Sequence, residues 1–585
     1  MKSVRRFSLI SLGALMLVTA LCFNTACSPK AKTQPEPFTA KLTEIEGVQA
    51  VYTLRHPKLI SNELDKLMVE VPEAALLRMG LMQLTAFGYP EFSEIEAGSN
   101  IGVVMLDVNA DELKTAQPTL VAFAKLKEGG KIWSLLSQSG LALQKHGEWI
   151  WIAKDASSFD KIKSAEAITT FIAQPQTEEI RVWGRVSPAL LAAAKNAIFP
   201  QLETKLASRT PAEQKAALDY ANVLWGYLAQ LHSGGGSFDL NDQGLSLSYY
   251  GQFLPDSATG RFLRYAQSPS PKIAESIPAD GLFSVVVRQN MHGQIEFVTG
   301  LLDTLSAVPY PSGSEALKSA KAAYLSLSEH NDGGAVISMN MSLPKGTQAP
   351  ELDMLGVNTG KFTEAEINAA YKNMMGLSKE FTNTMLLAAS SLNPATPAPG
   401  IQQELTENAL TIDGTKFGSI VTTTTMSVGG KDQVTKTTQY YGVVGGNLVY
   451  ASSEASLRAK LPAIAAKRPV DHPIKLTLQN DEVAVMAIHG EKIVDTVVAG
   501  ASFDAADTDI QAQIKTLKDG YAAGEPVKAT VTASQAKAAV TISIPYKFVS
   551  QSVRLFQFAS AYKPTPTQTN GMPQPAPAAA SDQSE

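Results

Sequence analysis

"HGEWIWIAKDASSFDKI" (residues 146–162) places a turn, an apolar strand and a short helix in succession, and a similar stretch, "VGGNLVYASSEASLRAKL" (444–461), recurs later in the chain. Within WIWI the tryptophans and the isoleucines point to opposite faces, because successive strand residues alternate. Both faces are apolar, and we therefore expect a strand that lies centrally in a sheet and is covered on both sides. The serines after each strand predict a capped helix.

Three further pairs of segments recur in the same order along the chain. The pairs are 47–68 with 280–305, 178–191 with 481–494, and 236–253 with 527–548. The first two pairs read as a strand that runs into a helix, and the third reads as a hairpin followed by a helix at 260–267 or 552–562. A single match of this kind is weak, but four in the same order favour an internal duplication over convergent patterning in two unrelated domains.

These patterns predict an α+β fold with two tandem related domains. Each domain is expected to be an antiparallel sheet with helices packed on it, since the strands are joined by turns of hairpin length. Copy 1 is assigned to residues 41–270 and copy 2 to residues 279–562. The offset between matching segments grows by roughly 65 residues along copy 2, and we place an insertion around 310–440.

The insertion contains a long predicted helix at 364–392, followed by two Thr-rich strands. Apolar side chains recur near helical spacing along this helix, at Ile367, Tyr371, Met374, Phe381 and Met385. A methionine-rich face adapts to varied apolar partners, and a buried core helix has the same pattern. The sequence leaves both interpretations open.

All five tryptophans lie in copy 1, at positions 133, 149, 151, 183 and 225. Clustered aromatic rings stack on sugars in some glycan-binding proteins, whereas apolar neighbours indicate packing in a core. The neighbours here are apolar at nearly every position, so we expect these side chains to be core residues.

The first 26 residues have the order of a secretory signal peptide. Three basic residues, the last of them Arg6, precede an apolar stretch from Phe7 to Phe23, and no acidic residue interrupts either part. This order is typical of cleaved export signals. The apolar stretch is close to the lower limit of the roughly 17–25 residues that cross a bilayer, so an uncleaved anchor is the alternative.

Asn24-Thr25-Ala26-Cys27 resembles the lipobox of bacterial lipoproteins, in which a branched residue or Leu, a small residue, and then Gly, Ala or Ser precede the cysteine. Asn24 stands where that family usually has Leu. The resemblance implies that a signal peptidase recognises Asn24, Thr25 and Ala26, that Cys27 carries the lipid, and that Ser28 directs the product to the outer membrane. A thiolate suits acylation because it is a far better nucleophile than a hydroxyl. The alternative is an ordinary cleaved signal in which Cys27 has no role.

Both ends of the mature chain are predicted to lack a packed core. Residues 27–40 are polar and contain prolines, which suits a flexible tether between a membrane and the body. Residues 563–585 are rich in Pro and Ala and contain no aromatic residue, so we expect a disordered tail. No second apolar stretch of membrane-spanning length follows the leader, and the body is predicted to lie outside the bilayer.

Charge and cysteine content exclude several classes of function. The net charge is −5, or −8 without the basic residues of the leader, and no basic stripe is present, so nucleic acid is not an expected partner. Cys22 and Cys27 are the only cysteines and the seven histidines are dispersed. We therefore predict no disulfide, no metal site and no cofactor.

Catalytic motifs are equally sparse. Ser158 and Lys161 match S-x-x-K, but the K-T-G that accompanies it in serine enzymes is absent. "GVNTGKF" (356–362) is too short for a phosphate loop and lacks the hydroxyl that binds Mg²⁺. No catalytic residue is assigned.

The sequence thus predicts an exported bacterial protein, anchored by lipid to the outer membrane, that acts without catalysis as a binding or scaffold module of the cell envelope. Its expected partners are the membrane, through the lipid, and an envelope protein or a hydrophobic ligand. The groove between the two copies is the expected binding place. One alternative is a periplasmic or outer-membrane carrier of lipid or another hydrophobic ligand. A second is an envelope hydrolase with dispersed catalytic residues.

Overall fold

The structure, a computed structural model, describes most of the predicted body of the chain. The described residues are 47–56, 94–96, 98–106, 119–207, 210–241, 244–264, 281–288, 290–306, 313–342, 351–373, 400–428, 431–466, 482–500 and 507–561, with the single positions 62, 65, 68, 69, 375 and 478. The predicted signal peptide, tether and tail lie outside the described residues.

Eight strands form the first half of the sheet. They are β1 (Val48–Leu54), β2 (Ile101–Leu106), β3 (Leu120–Ala124), β4 (Ala142–His146), β5 (Trp149–Ala153), β6 (Ile180–Arg185), β7 (Leu231–Asn241) and β8 (Gly244–Phe253). Their spatial order is β4-β5-β3-β2-β1-β6-β7-β8, and every pair is antiparallel.

Ten strands form the second half. They are β9 (Phe283–Arg288), β10 (Asn331–Ser342), β11 (Glu351–Gly360), β12 (Gly400–Ile412), β13 (Thr415–Val428), β14 (Lys431–Val444), β15 (Asn447–Ala451), β16 (Glu482–Ile488), β17 (Val527–Ser534) and β18 (Lys537–Pro545). Their spatial order is β18-β17-β16-β9-β10-β11-β15-β14-β13-β12, again antiparallel throughout.

The two halves join through β8 and β18, so the described strands form one sheet of eighteen. Ser248 pairs with Thr541, and the pairs Gly244–Pro545 and Gln252–Lys537 lie at equal distances on either side of it. Outward from this seam, the order of equivalent strands is the same in both halves as far as β4 and β14. The sheet therefore has a pseudo-twofold axis between Ser248 and Thr541.

The symmetry can be followed along one continuous row of paired residues, which has Ser248 and Thr541 at its centre. In order across the sheet it contains Gln144, Trp151, Phe123, Gly102, Thr53, Arg181, Ser237, Ser248, Thr541, Thr530, Val485, Val286, Val336, Val357, Val449 and Gly442. The mixed α and β composition and the antiparallel sheet with packed helices are confirmed, and strands from both sides of the predicted domain boundary belong to the same sheet.

Eleven helices with full bounds accompany these strands in the described part of the chain. They are α1 (Lys131–Gln138), α2 (Ala165–Ile172), α3 (Pro188–Leu206), α4 (Pro211–Leu228), α5 (Ala258–Arg264), α6 (Met291–Ser306), α7 (Gly313–His330), α8 (Glu454–Ala466), α9 (Gly490–Gly500), α10 (Thr508–Ala522) and α11 (Tyr546–Ala561).

Two helical caps cover one face of the sheet, one on each wing. In the first half, α2 and the 3₁₀ helix Ala156–Lys161 pack on a buried cluster that includes Val104, Phe123 and Trp151. In the second half, α8 packs on Val357 and Val449, which lie on the same line of paired residues. Because paired residues share a face, both caps lie on one side of the sheet, which we call the cap face.

The opposite face carries the terminal helix of each half, and these two helices are exchanged across the seam. Phe262 and Leu263 of α5, from the first half, pack against Ala533 and Ala538 of β17 and β18. Conversely, α11 of the second half packs through Tyr546 and Val549 on Phe238, Leu240 and Leu245 of β7 and β8. Each half therefore completes the core of the other.

The range 310–440, where the sequence places an insertion, contains strands of two kinds. Strands β10 and β11 have counterparts in β2 and β3, whereas β12 and β13 have none and extend the sheet beyond β14. Residues 364–373 are helical, and Tyr371 stacks on Tyr441 with ring centroids 4.3 Å apart. The rest of the predicted helix, except position 375, lies outside the described residues. Within the described part, the core-helix interpretation fits, since Ile367 is buried in the same cluster.

Other local predictions can be compared with the structure. Trp149, Trp151 and Trp183 are buried, as expected of core residues, whereas Trp133 and Trp225 are only partly buried. The WIWI strand pairs on both sides, but only β4 separates it from the edge of the sheet. Serine capping is found in α8, where Ser453 Oγ accepts from the Ser456 amide at 3.1 Å, but the 3₁₀ helix has Asp155 at its start and no side-chain cap.

Candidate functional site

The four strands at the seam are amphipathic. On the cap face β7, β8, β17 and β18 carry mostly polar side chains, whereas on the other face they carry mostly Phe, Leu, Ile, Val, Ala and Gly, together with Tyr249. This alternation is typical of antiparallel strands with one face in water. The polar set, which we call the central polar strip, consists of Ser233, Ser237, Asp239, Asn241, Ser246, Ser248, Tyr250, Gln252, Lys528, Thr530, Thr532, Ser534, Lys537, Thr541 and Ser543.

The strip lies between the two helical caps and remains partly exposed. The described helices that contact β8 and β18, α5 and α11, pack on the opposite face. At the centre, the Ser248 and Thr541 hydroxyls are hydrogen-bonded at 3.0 Å. The strip thus lies at the seam between the two halves, and its hydroxyl groups can donate or accept hydrogen bonds.

Two ion pairs border the strip at β6. Arg181, which faces Ser237, donates to Glu178 at 2.5 Å, and Arg55 donates to Glu179 at 3.0 Å. Burial acts to raise the pKa of Glu178, but hydrogen bonds, including the one from Arg181, outweigh it and leave that pKa lowered. Burial prevails at Glu179 and raises its pKa. These charges are matched within the protein.

Tyr250 lies flat on β7 because the sequence there is Ser-Gly-Gly-Gly. A Cβ at Gly235 would be 2.5 Å from Tyr250 Oη, and one at Gly236 would be 3.1 Å from Cδ1 of Tyr249 on the other face. Two glycines thus let successive tyrosines lie over opposite faces of one strand. The Tyr250 hydroxyl is buried without a hydrogen-bond partner, and burial raises the pKa of this side chain.

Lys537 lies beside this ring, with Nζ 4.6 Å from the ring centroid of Tyr250. That distance is within the range of a cation–π contact. Burial lowers the pKa of Lys537. Within the described ranges no carboxylate pairs with it, which sets it apart from Arg181 on the same face.

The residues that the sequence singled out are placed elsewhere. Asn24, Thr25, Ala26, Cys27 and Ser28 lie outside the described residues. The S-x-x-K pair lies in the 3₁₀ helix, where the Ser158 side chain is buried and Lys161 Nζ donates to Thr119 Oγ1 at 3.1 Å.

A second feature is a depression beside the start of α1, where the Glu94 carboxylate already accepts hydrogen bonds from the first amides of the helix. Gly130, Lys131 and Ser134 line it together with Gly129, Leu135 and Gln138. Glu94 accepts from the Lys131 and Ile132 amides at 2.9 and 2.8 Å, and these bonds lower its pKa. The amides that would otherwise attract an anion are therefore engaged.

Comparison with known proteins identifies no matching family, no similar curated protein and no similar solved structure. None of the helices in the described ranges combines the length and the apolarity that a membrane crossing requires. The described residues contain no group of three or more His, Cys, Asp or Glu side chains placed to hold a metal ion.

The sequence predicted a binding place between the two copies, but none of the residues of the central polar strip was singled out as part of it. The signal was present in "SLSYY" (246–250) and in the alternating "KATVTAS" (528–534), where every second residue is polar. Alternation alone does not reveal which polar faces lie side by side. That requires the pairing of β8 with β18, whose residues are far apart in sequence.

Proposed function

We propose that this protein is a non-catalytic lipoprotein of the bacterial cell envelope, which is lipid-anchored through Cys27 and binds its partner or ligand on the central polar strip. The proposal includes an internal duplication: two related copies, joined edge to edge, create the strip at their seam. The observation that supports the binding role is the partly exposed polar face of the seam strands, which no helix with full bounds in the described ranges packs on. The lipobox-like segment, residues 24–27, is the basis for the proposed lipid anchor in the cell envelope.

Several features support a binding surface over an enclosed carrier site. Both ends of the apolar face of the seam strands are packed by α5 and α11, so the protein's own helices cover part of that face. The strip instead offers hydroxyls, two lysines and an aromatic ring on a floor of paired strands. Sites on such regular elements are held in place more firmly than sites on loops.

Metabolic labelling with a fatty-acid analogue tests the anchor. We expect the wild-type chain to incorporate the label and Cys27→Ser to lose it, because serine is a poor nucleophile for the acyl donor. Cys22→Ser is the matched control, since it removes the other thiol and should leave labelling unchanged. An unlabelled wild-type chain would refute the anchor.

In-cell photo-crosslinking tests the strip. A photoreactive residue at Ser543, which is exposed on the strip, should give a discrete adduct, whereas one at exposed Lys515 on α10 should not. The Ser543 adduct should weaken when Thr541 is replaced by Asp, because a new negative charge at the seam would change the surface that the partner contacts. Equal adducts at both positions would contradict a binding role for the strip.

A further inference from the structure

We propose that the Lys537 end of the central polar strip is a phosphate-binding subsite, which takes a phosphate group either as a free ion or as part of a lipid headgroup. The inference rests on the proposed binding role of the strip and names the chemistry that one end of it recognises.

Lys537 is the first element of the argument. Its ammonium group is partly buried over the Tyr250 ring, and no carboxylate among the described residues neutralises it. A cation that is withdrawn from water without a counter-charge is costly. Such departures from the usual pairing rule concentrate at functional sites, where a ligand supplies the missing charge.

A second basic residue lies in the same row of the sheet. Arg185, Ser233, Gln252 and Lys537 are successive paired residues on β6, β7, β8 and β18. Three strand spacings separate the two basic residues, which places their Cα atoms about 14 Å apart. Both side chains are long and lie on the cap face, where Arg185 also has a partner within the protein, so it adds positive charge near the subsite while Lys537 makes the contact.

The hydroxyls between these cations lack partners. Ser233 is 0 % exposed, and neither its Oγ nor Tyr250 Oη has a hydrogen-bond partner. Buried hydroxyls are normally hydrogen-bonded, and exceptions call for an explanation. The Tyr250 ring lies against Lys537 on one side and reaches over Gly235 of β7 on the other, so its hydroxyl lies between the two basic residues.

The distribution of donors favours phosphate over carboxylate. The ammonium, the guanidinium and the hydroxyls belong to four different strands, so a ligand between them would meet donors on more than one side. A tetrahedral phosphate presents oxygens on all sides, whereas a carboxylate presents two in one plane. Charge-assisted hydrogen bonds from Lys and Arg to phosphate are stronger than hydrogen bonds between neutral groups.

Titration calorimetry on the full chain at pH 7.5 tests the subsite, with inorganic phosphate and acetate as probes. We expect phosphate to bind and acetate not to. Lys537→Met, which keeps the length of the side chain and removes its charge, should weaken phosphate binding at least tenfold. Lys537→Arg should retain it within a few-fold. Lys436→Met, at an exposed position on β14, is the control and should bind as the wild type does.

Vesicle sedimentation then separates the two sources of phosphate, with the protein carrying Cys27→Ser so that no lipid anchor contributes. Stronger retention by phosphatidylglycerol than by phosphatidylcholine vesicles, lost in Lys537→Met, would assign a headgroup. Phosphate binding without that difference would assign a free ion. Absence of phosphate binding, equal binding of acetate, or an undiminished Lys537→Met would overturn the subsite. Fatty-acid labelling and crosslinking at Ser543 would still decide the proposed function separately.

Discussion

At the scale of single residues, glycines decide where the aromatic rings of the sheet can lie. Gly235 lies under Tyr250, Gly356 under Tyr450 and Gly418 under Tyr441. Tyr450 is partly buried in the cluster beside β14, and burial raises its pKa to about 12. Glycine has a low strand propensity, so the sequence alone gives no reason for these glycines to lie in strands. The reason is the aromatic ring of a neighbouring strand, which needs the space that a Cβ would occupy.

Gly235→Ala tests this relation at the strip. Its Cβ would lie 2.5 Å from Tyr250 Oη and closer still to the Val182 carbonyl oxygen, so we expect a loss of roughly 1–3 kcal/mol in the free energy of unfolding. Urea denaturation measures the change.

Gly184→Ala is the matched control on the adjacent strand. The nearest atoms to its Cβ are 3.8 Å away, and the expected change is within about 0.5 kcal/mol. Equal effects of the two substitutions would show that the ring does not require the glycine.

At the scale of elements, the sequence predicted most strands and helices but not all of their ends. "SVVVR" runs into α6 and "RVWGR" into α3, as the change from alternating to helical periodicity indicated. The last helix was expected at 552–562 and begins six residues earlier, at Tyr546. Tyr546 packs on the first half of the sheet, a contact that local periodicity does not encode.

The start of α1 depends on Glu94 and therefore on pH. The Lys131 and Ile132 amides lower the pKa of Glu94 below its ordinary value of 4.5. A lowered pKa stabilises the folded state above pH 4.5, and this contribution is lost as the pH falls through the folded pKa. Amide hydrogen exchange across residues 131–138 should accelerate in acid beyond the intrinsic rate. Glu94→Gln should remove this pH dependence, and an unchanged dependence in that variant would contradict the assignment.

The exchanged helix α5 supplies a test of packing across the seam. Phe262 is buried against the second half, so Phe262→Ala should lower the free energy of unfolding by about 3–5 kcal/mol. Phe556→Ala is the control because that ring is 70 % exposed, and its effect should stay within about 0.5 kcal/mol. Similar losses from both would mean that α5 does not secure the seam.

At the scale of the whole molecule, one sheet and two exchanged helices tie the halves together. A protease site introduced between residues 265 and 280 should therefore leave the cleaved halves associated in size-exclusion chromatography. Denaturant titration should give one transition for probes in either half, since each half buries a helix of the other. Separation of the halves after cleavage without denaturant would contradict this interdependence.

The recurrence of segments predicted the repeated strand order but not how the two sets of strands combine. The matched segments indicated equivalent strands, and the extra residues indicated where one set is longer. The joining of β8 to β18 was beyond prediction, because both strands alternate in the same way and any polar-faced edge strand satisfies that pattern. The central polar strip follows from that pairing, so it was equally out of reach.

The seam also has a consequence for how the chain is made. Ser248 meets Thr541, a residue 293 positions further along. Until that late stretch has emerged, β8 has an unpaired edge, and such edges recruit foreign strands and promote aggregation. A newly synthesised chain is therefore exposed to aggregation at this edge until its final hairpin arrives. The long separation in sequence between the paired strands also favours slow folding.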